Sequence, residues 1–119
     1  MKGHAALAAG FLKDADRASW HDQALWFVRE KRDRLARAVP GWEDLRETAH
    51  AIKRHTLANL PRYLQEFERN AVARGAVEPM DLSYAATAAL IRAVQFLEPA
   101  NARETAVFEQ ALVVLNSWL

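Results

Sequence analysis

His21, His50 and His55, set among acidic residues, are the first places in this sequence to look for chemistry. His50 and His55 are five residues apart, which on a helix of 3.6 residues per turn rotates them about 140° from each other, so they are poorly placed to share a ligand. Glu47 and His50 have the Glu-x-x-His spacing of di-iron bundles, but that site needs a second copy of the motif and two further inward carboxylates. The sequence holds no second copy. Ser83, His55 and Asp44 supply the residue types of a nucleophilic triad, without the strained strand-to-helix elbow or the oxyanion hole that would activate a serine. The four glycines form no phosphate-binding loop. The absence of Cys excludes disulfides, thiolate nucleophiles and sulfur-ligated zinc or iron. The expectation is a chain with no catalytic residue, no metal ligand and no cofactor of its own.

Binding chemistry is better represented. The run Arg29-Glu30-Lys31-Arg32-Asp33-Arg34, followed by Arg37, offers guanidinium forks that match phosphate oxygens. Its interleaved acids point to a solvated face instead, with Glu30 to Arg34 and Asp33 to Arg37 as i,i+4 pairs. A basic face of Arg29, Arg32 and Arg37 is the residue set that a nucleic-acid-binding alternative would use, and such binding would weaken steeply with salt. Trp20, Trp26 and Trp42 flank expected helix starts, where large aromatics usually plug a core.

Helices must position these groups, because the apolar residues recur at helical spacing and no alternating strand pattern occurs. Ser19 with Asp22 reads as an N-terminal cap opening a helix from about Trp20 to Val39, with Ala24, Leu25, Val28 and Leu35 on its apolar face and Pro40-Gly41 as its stop. A second helix is expected from Trp42 to Asn59. A break at Leu60 then allows Pro61, whose fixed φ suits a first turn, to start a third that ends near Gly75. After a linker at Val77-Glu78-Pro79-Met80, Asp81 or Ser83 caps a nearly all-apolar helix to Leu97. Asn101 with Glu104 forms a capping signature for a last helix through Phe108, Leu112, Leu115 and Trp118. A short helix over residues 5–16 precedes them. The fold class is all-α, a small bundle of about five main helices in one domain, residues 1–119.

A chain of 119 residues that is 51% hydrophobic and 26% charged can bury a real core. Fourteen basic and ten acidic side chains fall within residues 1–76, against two and five in residues 77–119, so the two parts face different surroundings. Helices that are apolar around most of their circumference are either central in a bundle or paired across an interface. Both readings stand for the last two. The second makes Phe108, Leu112, Leu115 and Trp118 an interface for a protein partner or a homodimer. Arg92, Arg103 and Glu109 interrupt the apolar third, so no membrane span is expected. The apolar run Ala5 to Leu12 is short for an export signal and continues into Lys13-Asp14-Ala15-Asp16, which leaves the cytoplasm as the expected location.

The segment Trp20-His21-Asp22-Gln23-Ala24-Leu25-Trp26-Phe27-Val28-Arg29-Glu30-Lys31-Arg32-Asp33 closely resembles the N-terminal helical region of lactate utilization protein B, an iron–sulfur protein of bacterial lactate oxidation. The likeness continues through Val39-Pro40-Gly41-Trp42-Glu43-Asp44-Leu45-Arg46, Ile52-Lys53-Arg54-His55-Thr56-Leu57 and Tyr63-Leu64-Gln65-Glu66-Phe67-Glu68-Arg69-Asn70-Ala71. It covers roughly Phe11 to Ala76. After Gly75 the resemblance implies entry into an α/β domain, and later a ferredoxin-like segment whose cysteines bind [4Fe–4S] clusters. This chain continues instead with Val77-Glu78-Pro79-Met80 and has no Cys, so no cluster ligand carries over. What the resemblance implies is an electron-transfer setting without the electron-transfer part: a non-catalytic helical module acting through protein contacts.

Overall fold

The computed structural model describes residues 14–74 and 79–119. Among the described residues there are four α-helices, α1 (Asp14–Ala38), α2 (Arg46–Arg74), α3 (Pro79–Phe96) and α4 (Ala102–Ser117), a single 3₁₀ turn at Trp42–Asp44, and no strand. The all-α class is as expected; the count of main helices is one lower. The helix expected over 5–16 and the cap expected at Gly75 fall largely outside the described residues.

The missing helix is lost at Pro61, which lies inside α2 rather than starting a new one. A proline here deprives the Leu57 carbonyl of its helical donor and costs about 3 kcal/mol in a helix interior. Packing outweighs that local cost. Ile52, Thr56 and Leu60 upstream are buried, Tyr63, Leu64 and Phe67 downstream are half-buried, and a break would pull one set away. Pro61 itself faces solvent, where its ring displaces no core side chain.

Other boundaries shift for related reasons. Ser19 is interior to α1, its hydroxyl accepting from Gln23 Nε2 at 3.2 Å, so it caps nothing. Pro40-Gly41 does stop α1: Gly41 takes φ 85°, and a Cβ there would lie 3.0 Å from Val107 Cγ2 on α4. Trp42 opens the 3₁₀ turn, and α2 follows only from Arg46. Asp81 and Ser83 both lie inside α3, which is already helical at Pro79. Asn101 caps α4, its Oδ1 accepting from the Glu104 amide at 2.9 Å. The Glu104 carboxylate reaches back to the Ala100 amide at 3.0 Å and takes the Thr48 hydroxyl at 3.1 Å, fastening α4 to α2.

α3 is the central element, packing against α1, α2 and α4, whereas α1 and α2 touch each other at few places. Ala85, Ala86, Ala89 and Ala93 are fully buried and let the neighbouring backbones come close. Two apolar clusters lie along the molecule. One joins Ala24, Val28 and Leu60 to the alanines of α3; the larger gathers Leu35, Trp42, Ile52, Leu90 and Val94 under Phe108 and Leu115 of α4. The radius of gyration is 15.8 Å, above the ~13.5 Å of a compact chain this long, and the extents are 51 × 22 × 18 Å. No described helix is long and apolar enough to cross a membrane.

Candidate functional site

The seam between α1 and α2 stays open because both helices pack on α3 rather than on each other. Leu25, Val28, Arg29 and Arg32 stand at i, i+3, i+4 and i+7 on α1, one face of the helix, and meet Lys53 and Leu57 one turn apart on α2. Together they enclose a hollow of about 280 Å³ with an apolar floor, three cations and no acid. The Arg32 Nε is buried and has no hydrogen-bond partner. A guanidinium held in this way has lost part of its hydration without a compensating acceptor, so it attracts a carboxylate more strongly than a free arginine would. Further along the same seam, a larger hollow of about 620 Å³ is lined by Trp20, His21 and Asp22 of α1 and by Pro61, Leu64, Gln65 and Glu68 of α2.

The expected basic face divides. Arg29 and Arg32 line the seam, but Arg37 lies five residues on from Arg32, about 140° around the helix, beside Glu43 and Asp44. The i,i+4 pairs Glu30 to Arg34 and Asp33 to Arg37 are not formed among the described residues; the Arg34 guanidinium instead lies 4.2 Å from the ring centre of Trp118. The Lys31 ammonium stands 5.5 Å from the same ring, and its pKa is lowered by burial and by the Arg34 charge. Lys53 is the seam residue that sequence reasoning missed. Folding the chain back at Pro40–Leu45 sets it opposite Arg32, a register readable from the turn once α1 and α2 are taken as a hairpin.

The four apolar residues expected at an interface, three on α4 and Trp118 just past its end, have internal partners. Phe108 and Leu115 are buried in the larger cluster, Leu112 packs half-buried against it, and Trp118 is held under Lys31 and Arg34. These contacts take up within the chain most of the side chains expected to meet a partner. The large apolar groups that do face solvent include Met80 (79% exposed), Tyr84 and Phe96 (64%) on the outer side of α3. Tyr84 meets Phe67 edge-on at 5.6 Å and Phe96 lies 4.9 Å from His55, so both border α2, about 18 Å apart along α3.

The triad residues stay apart. Asp44 pairs with Arg103. Because Tyr84 lies against Phe67, twelve residues along α2 from His55, Ser83 and His55 are separated by about 18 Å of helix. His50 is exposed, and His21 belongs to the larger hollow. Among the described residues no three His, Asp or Glu side chains gather where a metal ion could sit. Comparison with family models, with curated proteins and with solved structures finds no match for the chain.

Proposed function

We propose that this chain is a non-catalytic helical module that acts by contact with another protein, through the outer stripe of α3 and the adjoining flank of α2. The observation that carries this reading is the exposure of Met80, Tyr84 and Phe96 on an otherwise largely buried helix, where Arg92 and Gln95 are also exposed. Met80 and Tyr84 stand one turn apart, Phe96 lies at the far end of the helix, and aromatics with Met are the types enriched at partner surfaces. The setting comes from the resemblance of residues 11–76 to lactate utilization protein B: the partner is an oxidoreductase subunit of bacterial lactate oxidation, which supplies the clusters that this chain has no ligands to hold. The alternative, nucleic-acid binding through Arg29, Arg32 and Arg37, is the weaker reading because Arg37 stands away from the other two beside Glu43 and Asp44.

Retrieval from a bacterial lysate under gentle, anaerobic conditions tests the proposal. The tagged chain is expected to retain an oxidoreductase subunit, and a Tyr84→Asp, Phe96→Asp variant to release it. Recovery of no oxidoreductase subunit removes the lactate-oxidation setting; equal retention by the variant removes the α3 surface.

A further inference from the structure

The seam between α1 and α2 changes sign along its length. Its end nearer the Pro40–Leu45 turn holds Arg29, Arg32 and Lys53, and its other end holds Asp22 and Glu68. Between the two lie the apolar side chains Leu25, Val28, Leu57, Pro61 and Leu64. Asp22 and Arg32 are ten residues apart, about 15 Å along α1, with the apolar stretch in the middle.

Such a surface is complementary to itself. A second copy, turned by 180° about an axis passing near Leu25 and Pro61, lays its Asp22 against Arg29 and Arg32 of the first, and the same contact recurs at the other end by symmetry. The apolar groups then meet at the centre and the charges at the rim, which is the ordinary anatomy of a protein interface. Two helical hairpins set face to face also make a four-helix bundle, in which both seams are filled. Arg32 adds an independent reason. Its Nε is buried without a partner, so the guanidinium is only partly hydrated, and its remaining N–H groups attract an incoming carboxylate more strongly than a free arginine does.

We propose that a second copy of this chain docks on the α1–α2 seam, forming a two-fold dimer in which Asp22 of each copy meets Arg29 and Arg32 of the other. The inference rests on the reading that the chain works through protein contacts, and it uses a different surface from the α3 stripe.

Light scattering and sedimentation of the full chain at about 100 μM, where micromolar affinity suffices for assembly, provide the test. The wild type is expected to be a dimer. Arg32→Asp and Asp22→Arg each place like charges together at both ends, and each is expected to weaken assembly at least about tenfold. The full charge swap D22R/R29D/R32D restores opposite charges at both ends and is expected to regain the dimer. Circular dichroism of every variant distinguishes lost assembly from lost fold. A monomeric wild type overturns the proposal. So does a dimer indifferent to both single changes, which uses another face, and so does a full charge swap that stays monomeric while folded. A monomer that binds a synthetic acidic amphipathic peptide through Arg32 also overturns it, by assigning the seam to a different protein. None of these results alters the retrieval experiment, whose outcome depends on Tyr84 and Phe96.

Discussion

Replacing Pro61 by Ala tests the least expected feature of the fold, the unbroken helix from Arg46 to Arg74. In that helix the substitution supplies an amide to the Leu57 carbonyl and removes the ring clash with the preceding turn. A net hydrogen bond contributes about 1 kcal/mol. The full difference between Pro and Ala in a helix interior is about 3 kcal/mol. Pro61 is exposed, so little packing is lost in exchange. Proline also stiffens the unfolded chain, and giving that up returns about 0.4 to 1 kcal/mol of the gain. The full difference less that return leaves an expected stabilisation of about 2 kcal/mol, or roughly 4 °C in Tm for each kcal/mol in a chain of this size. Urea unfolding followed by far-UV circular dichroism measures it, at one fixed protein concentration so that association does not enter the comparison. If Pro61 instead opens a separate helix, its missing amide is one of the first-turn orphans and the substitution gains nothing. A P61A chain no more stable than the wild type would refute the continuous helix.

Two further outcomes follow from burial. Trp42 is 8% exposed within the larger cluster, so W42A is expected to cost about 3 to 5 kcal/mol in the same assay, whereas W26A, at a residue 52% exposed, should cost about 1 kcal/mol or less; a loss below about 0.5 kcal/mol for W42A would place Trp42 on the surface. Lys31 has a folded-state pKa below its unfolded value of 10.5, so the unfolded chain binds more protons and stability rises with pH from the folded pKa up to about 10.5. The wild type should gain stability relative to K31M as pH is raised through that window, and parallel pH profiles for the two proteins would count against burial of the ammonium.

Local signals in the sequence are legible at several helix ends, where one or two residues decide the outcome. Asn101 with Glu104 marks a cap, and Pro40-Gly41 marks a stop, because an amide needs an acceptor and a left-handed backbone needs glycine. The same logic misplaces Pro61, since the local cost is real but the contacts that outweigh it lie on another helix. The α4 residues show a different limit. Apolarity makes Phe108 and Leu115 want to leave water, and the covering surface, here α3 and α1, is set by the tertiary arrangement rather than by the residues themselves. Arg37 was grouped with Arg29 and Arg32 from its place in a charge run, yet helix geometry turns it away toward Glu43 and Asp44. Lys53 joins the seam only through the hairpin register, and the Trp118 ring that takes Arg34 from its expected partner comes from the other end of the chain.

The central position of α3 also bears on how the protein is made. On a ribosome α1 and α2 emerge before α3, and they hold little of each other; the helix that both need is synthesised after them. At about 5 to 20 residues per second, the first two helices wait a second or more with their core faces bare before residues 79–96 arrive. Nascent chains at that stage are the form most open to chaperones and to one another, and a ribosome that stops after Arg74 releases two amphipathic helices with no centre to fold around.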